Sequence, residues 1–227
     1  MRINKYLATC GIASRRKVEE YITLGRVKIN GVVVTNLATD INPKDVVLFD
    51  DKIVSLEVQF EYYMLNKPKG YVSSVKDDRN RKVVVDLIKT DKRIFPVGRL
   101  DYDSEGLLIL TNDGELTNKL THPKHLIDKT YVVEINSKIS NEEIEKLQNG
   151  VVIDRYKLRP SKIELIAKTE NSTRLQVIIF EGRNREIRKM FESIGKRVVF
   201  LKRIKIANLE LDKSLKRGEY RKSIWIS

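Results

Sequence analysis

The sequence predicts an α+β protein in two parts. A small basic module of two helices and a hairpin comes first, and a larger domain on a mainly antiparallel sheet follows. Three observations predict it. Helical spacing of apolar residues is confined to the first 25 residues and three later stretches, strand-like runs outnumber helices, and most of those runs are joined by turns rather than long crossovers. At 227 residues, 41% of them hydrophobic, the chain can bury a full core.

Residues 2–10 place Ile3, Tyr6, Leu7 and Cys10 on one helical face, with Gly11 as the stop. Ser14 is placed to cap a second helix with the stripe Val18, Tyr21 and Ile22, ended by Gly25. Arg15, Arg16 and Lys17 fill its first turn, where cations oppose the helix dipole and a phosphate would offset the repulsion. Asn30-Gly31 between Arg26–Ile29 and Val32–Val34 is a hairpin signal. Residues 40–51 are expected to close this module and residues 52–60 to form a linker, with the domain boundary near Val58. Tyr62–Asn66 reads as a strand running into Lys67-Pro68-Lys69-Gly70, residues 77–82 as a mobile polar loop, and Val83–Ile88 as a short apolar element.

Further on, Ile94–Val97 and Leu107–Leu110 are strand-like and flank an acidic turn. A short helix is expected over Glu115–Leu120 and a strand over Thr130–Ile135. Ser140 to Glu143 matches a capping box for a helix closed by Gly150. Strands are expected at Lys162–Ala167 and Arg174–Phe180. Asn184 is placed to cap a helix with the stripe Ile187, Met190, Phe191 and Ile194, and strand-like material follows over Arg197–Leu211.

The formal net charge of +13 suggests a polyanionic partner. Its distribution strengthens that reading, because nine Arg and Lys stand against two Glu between Arg183 and Lys205. A single cysteine, Cys10, rules out an internal disulfide and suits a reducing compartment. No apolar run reaches the length of a membrane span, and the N-terminal pattern is amphipathic without a signal core, so a cytoplasmic protein with no membrane association is expected. His122 and His125 have no cysteine or acidic cluster close in sequence, and Gly31, Gly70 and Gly106 stand alone. Neither a zinc site, a nucleotide fingerprint nor any other cofactor is expected.

The acidic turn, Gly98-Arg99-Leu100-Asp101-Tyr102-Asp103-Ser104-Glu105-Gly106, is out of keeping with so basic a chain. A carboxylate such as Asp101 on a turn can attack an electrophilic sugar carbon or act as a general base, and Arg99 can stabilise its charge or hold a phosphate. The same residue types also make ordinary turn hydrogen bonds, and the spacing alone leaves both readings open.

Longer strings resemble known families. Arg2-Ile3-Asn4-Lys5-Tyr6-Leu7, Gly11-Ile12-Ala13-Ser14-Arg15-Arg16 and Gly25-Arg26-Val27-Lys28-Ile29-Asn30-Gly31 look like an S4 domain, a module that binds structured RNA. Residues 98–108 with Thr111-Asn112-Asp113-Gly114 closely resemble the active-site motif of pseudouridine synthases. The branch is the one named for ribosomal small subunit synthase A and large subunit synthases B, E and F. Lys129-Thr130-Tyr131 and Gly182-Arg183-Asn184-Arg185-Glu186-Ile187-Arg188 match its tyrosine and late arginine motifs.

The resemblance implies an S4-like RNA-binding domain with its linker over residues 1–58 and a pseudouridine synthase catalytic domain over 59–227. It implies that Asp101 is the catalytic aspartate, that Arg188 pairs with it, and that Tyr131 stacks on the target base. Ile187 would line the pocket and Arg99 would contact the flipped nucleotide or its phosphate. Arg2, Lys5, Ser14, Arg15, Arg16, Lys17, Arg26, Lys28, Asn30, Arg183 and Arg185 would contact RNA, while Asp103 and Glu105 would shape the loop. Residues 11–17 and 102–105 look most like the synthase B type within that branch. This favours a structured stem-loop of 23S rRNA or a pre-ribosomal particle, with 16S rRNA as runner-up and a monomeric enzyme. A catalytically inactive ribosome-assembly protein and an RNA glycosylase are the competing classes.

Overall fold

The computed structural model describes residues 1–56 and 59–222. They divide into two compact units, one of residues 1–61 with the short segments 90–93 and 112–114, the other of the remainder. The boundary expected near Val58 lies outside the described residues.

In the first unit, helices α1 (Ile3–Thr9) and α2 (Arg15–Thr23) precede strands β1 (Val27–Ile29), β2 (Val32–Val33), β3 (Val47–Phe49) and β4 (Lys52–Val54). Ser14 caps α2 as expected, accepting the Lys17 N–H at 3.3 Å. Cys10 is the C-terminal cap of α1 rather than part of its stripe. The strands form an antiparallel sheet in the order β2-β1-β3-β4. Ile3, Leu7, Val18, Ile22, Val27, Ile41 and Val47 form its core. Two expectations are corrected here. Residues 40–51 contribute a strand rather than a mere closure, and residues 52–54, expected in a linker, pair with it. The turn between them, Asp50-Asp51, adopts the left-handed conformation at both positions (φ +48° and +62°). A type I′ hairpin demands that geometry, and glycine usually supplies it.

The second unit begins with β5 (Tyr62–Lys67), a 3₁₀ turn (Val84–Leu87), β6 (Phe95–Pro96), β7 (Glu105–Thr111) and α3 (Gly114–Thr121). A second 3₁₀ turn (Pro123–His125), β8 (Lys129–Ile135), α4 (Asn141–Gln148), β9 (Val152–Ile153) and β10 (Tyr156–Lys157) follow. The chain then runs through β11 (Lys162–Lys168), β12 (Thr173–Ile179), α5 (Glu186–Glu192), β13 (Val198–Ile206), β14 (Leu209–Glu210) and β15 (Tyr220–Lys222). The main sheet has the order β11-β12-β8-β13-β7-β5-β15, with β14 on β13 and β6 on β7. Every pairing in it is antiparallel except β13 with β7. The capping box at Ser140 and Glu143 forms as the sequence predicts.

Strand β7 is buried along its whole length because both of its faces are covered. Leu107 and Ile109 pack with Leu116 and Leu120 of α3. Leu108 and Leu110 face the larger core, which includes Phe191 and Met190 of α5. A strand covered twice reads as a continuous apolar run. Residues 77–82 are organised rather than loose, since the Asp77 carboxylate accepts the backbone N–H groups of Arg79 (3.0 Å) and Arg81 (3.1 Å) and pairs with the Arg81 guanidinium. These bonds, that to Arg81 foremost, hold the Asp77 carboxyl well below its usual range.

The parallel crossing is narrow, pairing only Lys202 with Glu105 and Arg203 with Gly106. Gly106 has φ +108°, and a Cβ there would lie 2.1 Å from the Arg203 carbonyl oxygen. Gly106→Ala is therefore expected to destabilise this unit by about 3 kcal/mol or more, from backbone strain and forced strand separation combined. Chemical denaturation of the two proteins checks this, and an unchanged midpoint would contradict it.

Candidate active site

The acidic turn connects β6 to β7, and its backbone is fixed from below. Lys67, the last residue of β5, is fully buried. Its Nζ donates to the carbonyl oxygens of Asp101 (3.1 Å), Ser104 (2.9 Å) and Pro68 (3.0 Å). Burial pushes the Lys67 pKa down to about 8, against the opposing charges of Asp101, Asp103 and Glu105. The Ser73 hydroxyl clamps Leu100, donating to its carbonyl at 2.8 Å and accepting its N–H at 3.1 Å. The Gly70 N–H donates to the Tyr102 carbonyl at 2.8 Å. The Ser104 N–H closes the turn on the Asp101 carbonyl at 3.1 Å. The Lys67 and Ser73 side chains and the Gly70 backbone thus hold the loop from the β5 end, leaving the Asp101 carboxylate partly exposed at its tip.

Helix α5 supplies the cations. Asn184 does not cap it. Arg185 occupies the cap position in the left-handed conformation (φ +52°), with no side-chain cap. Glu186 instead folds back, its carboxylate accepting the N–H groups of Gly182 (2.8 Å) and Arg183 (2.6 Å). Burial raises the Glu186 pKa and those two bonds oppose the rise. Glu181 stiffens the same loop, accepting the Tyr156 hydroxyl at 2.8 Å and the Arg159 N–H at 2.9 Å. The Arg183 guanidinium lies over the Tyr156 ring, 3.2 Å from its centroid.

The expected pairing of Arg188 with Asp101 is not what the structure contains. Arg188 Nη2 lies 3.1 Å from Asp103 Oδ2, and it also donates to the Asp103 carbonyl (3.2 Å) and the Ser104 hydroxyl (3.4 Å). Its Nη1 donates to the Val198 carbonyl at 3.1 Å. The reason is reach. Arg188 is buried and meets the loop where it enters β7, beyond Asp101. The cation beside Asp101 is Arg185, with Nη1 3.9 Å from Asp101 Oδ2 and 3.3 Å from Asp103 Oδ1. Asp103 does shape the loop, as a counter-ion. Glu105 does not belong to the loop at all, for it opens β7 buried against Arg217 at 3.1 Å.

A cavity of about 130 Å³ gathers residues that lie far apart in the chain: Arg99 and Asp101, Tyr131 of β8, and Ile187 of α5. Arg183 and Arg185 also line it. Tyr131 and Ile187 are almost wholly buried and contribute an aromatic and an aliphatic side chain to the cavity lining. Arg188 lines a neighbouring depression with Asp103 and Arg185. Three residues that the sequence reading passed over belong to the site: Lys67, Ser73 and Arg203. A lysine closing an apolar strand just before Pro68 is a signal for the first, and an arginine within the apolar alternation of β13 for the third. A lone serine carries no comparable signal.

In the first unit, Arg15 and Arg16 are exposed and form no ion pair among the described residues. Arg2 pairs with Asp40 (3.1 Å), Lys17 with Glu20, Arg26 with Asp50 and Lys28 with Asp51 (2.6 Å). Lys5 is half-buried on α1. Asn30 uses its amide inside the fold, accepting the Val46 N–H at 3.0 Å.

The sequence profile described as RNA pseudouridylate synthase matches residues 61–193, and the S4 domain profile matches residues 1–47. The ribosomal large subunit pseudouridine synthase B of Bacillus subtilis (strain 168) is 45% identical over 216 residues, covering 92% of this chain and 87% of that protein. An uncharacterized RNA pseudouridine synthase of Aquifex aeolicus (strain VF5) is 39% identical, covering 97% and 89%. A crystal structure of a pseudouridylate synthase shares the fold with a TM-score of 0.72 at 29% identity, covering 99% of this chain and 96% of that one.

Lys67→Met would leave three loop carbonyls without their donor. It is expected to slow the reaction at this site about 100-fold through misplacement of Asp101, and to cost about 3 kcal/mol of stability. In the unaltered protein the rate is expected to fall above about pH 8, where a neutral amine keeps two N–H groups for three carbonyls. Stability moves the other way. The unfolded chain holds the Lys67 proton up to its ordinary pKa of 10.5, so this group adds stability as pH rises from about 8 to 10.5. Rate–pH profiles and denaturation of both proteins check these outcomes.

Proposed function

The chain belongs to the RNA pseudouridylate synthase family, and from that premise we propose that it converts a uridine of 23S ribosomal RNA to pseudouridine, with Asp101 as nucleophile or base. The convergence of Asp101, Tyr131 and Ile187 on one cavity carries this reading. The choice of 23S rRNA rests on the 45% identity to a relative named for the large ribosomal subunit. The reading makes the protein a cytoplasmic, monomeric enzyme acting on a structured stem-loop or a pre-ribosomal particle.

The reaction frees uracil from C1′, turns it, and rejoins it through C5. The nucleotide must first leave its stack, at a cost of a few kcal/mol. Asp101 then either attacks C1′ or removes the C2′ proton to give a glycal. Tyr131 offers a stacking face and Ile187 an apolar wall, so the detached base stays in place without a base-specific code. Excluding water separates this outcome from hydrolysis. Exposed Arg99, Arg183 and Arg185 at the rim meet the phosphates of the flipped strand.

Asp101→Asn is expected to abolish pseudouridine formation while RNA affinity stays within about threefold, because one uncharged replacement removes no phosphate contact. Mapping pseudouridines in rRNA from cells lacking the protein is expected to show one or more sites missing from 23S rRNA. A site lost from 16S rRNA instead would move the substrate, and free uracil as product would make the enzyme a glycosylase. In the S4 domain, the double change Arg15→Glu and Arg16→Glu is expected to weaken RNA binding and to reduce the slope of log K against log salt by roughly 2. Binding isotherms across a salt series check this, and an unchanged slope would take RNA contact away from α2.

A further inference from the structure

Arg203 is 2% exposed and lines the cavity. It lies on β13, in register with Tyr131 of β8 and Gly106 of β7. Its Nε donates to the Leu107 carbonyl at 2.9 Å, which accounts for one edge of the guanidinium as a tie between strands. The other edge has no such explanation, for Nη2 is buried and meets no hydrogen-bond partner among the described residues. An unsatisfied buried donor of a charged group costs at least about 1–3 kcal/mol, so a strand tie alone is a poor reason to keep an arginine here.

The surroundings sharpen the point. Lys129 lines the same cavity, its Nζ donating to the Ile127 carbonyl at 2.7 Å. Burial lowers the Lys129 pKa, and the charge of Arg203 lowers it further. Glu186, the lining carboxylate whose charge acts on Lys129, is already engaged by two backbone N–H groups. The wall around Arg203 is therefore a desolvated cationic surface with a spare N–H, in the cavity to which Asp101 contributes a carboxylate.

We propose that Arg203 holds the uracil after it leaves the sugar, donating from Nη2 to a carbonyl oxygen of the base. The inference rests on the cavity being the uridine site. When the N1–C1′ bond breaks, its electron pair goes to N1 and the negative charge spreads onto O2 and O4. C1′ is taken by the Asp101 carboxylate or becomes part of the glycal. The two groups divide the work, one serving the sugar and the other the departing anion. A guanidinium stays charged throughout the working pH range, which a buried lysine does not. It also tethers the free base until C5 closes on C1′ and the C5 proton is lost.

Arg203→Met and Arg203→Lys test this in the full chain with an rRNA fragment under single-turnover conditions. The expected result for Arg203→Met is a rate about 10²–10³-fold lower with RNA affinity within twofold, as for loss of one preorganised donor. Arg203→Lys is expected to recover at least tenfold of that rate. A second measurement needs no turnover. The unaltered protein is expected to bind 5-nitrouracil, an anion at neutral pH, at least tenfold more tightly relative to neutral uracil than Arg203→Met does, with ¹H NMR titration as the readout. An unaltered protein with no preference for the anion, or a preference that survives in Arg203→Met, overturns the assignment, as does an unchanged rate. A protein that shows the preference but makes no pseudouridine defeats the functional reading and leaves the anion site standing.

Discussion

The site depends on one buried ammonium group. Lys67 Nζ sits under the acidic turn and holds the carbonyls of Asp101 and Ser104 at 3.1 and 2.9 Å. Burying a charge is costly unless it is fully bonded, and three carbonyl dipoles together with nearby carboxylates offset part of that cost here. The consequence reaches outward. With its backbone fixed from below, the loop need not use the Asp101 side chain to hold itself together, which leaves the carboxylate available for the role proposed for it. The clamp needs β5 beside β7, β5 ends on Lys67, and the loop delivers the chain into β7. The central sheet therefore doubles as the mounting for the loop.

Strand β7 and its neighbours explain why the mounting is rigid. Its two faces are packed by separate clusters, with α3 on one side and α5 on the other. Its short parallel contact with β13 requires Gly106, since no side chain fits against the Arg203 backbone. That close approach also sets Arg203 beside the loop and opposite Tyr131. A glycine demanded by strand packing thus helps to place an arginine in the cavity, so stability and site geometry are coupled at one residue pair.

Much of this was legible in the sequence, and the misses share a cause. Asn30-Gly31, the Ser14 cap and the Ser140–Glu143 box announced their elements because each uses the residue types that its geometry favours. The hairpins at Asp50-Asp51 and Asp154-Arg155 escaped because both positions adopt φ near +50° to +60° without a glycine. Asn184 looked like a helix cap, yet Glu186 and a left-handed Arg185 organise that end instead. Within the site, Asp101, Tyr131 and Ile187 could be named from motifs. Lys67 and Arg203 left only the trace of a cation within an apolar run and Ser73 left none, since their roles arise from backbone carbonyls and strand register.

The density of carboxylates in the turn now has a physical account. Asp103 is the counter-ion of Arg188 and Arg185, and Glu105 neutralises Arg217 from inside β7. Removing Asp103 would leave the buried Arg188 without its carboxylate and would free Arg185 to close on Asp101 instead. A carboxylate locked in a bidentate arginine pair is a poor nucleophile. The present arrangement commits Asp103 to the cations, and among the described residues the ion-pair partner of the Asp101 carboxylate is a distant one, Arg185 at 3.9 Å. On the proposed reading the turn is acidic because a carboxylate kept for chemistry beside a cluster of arginines needs another to shield it.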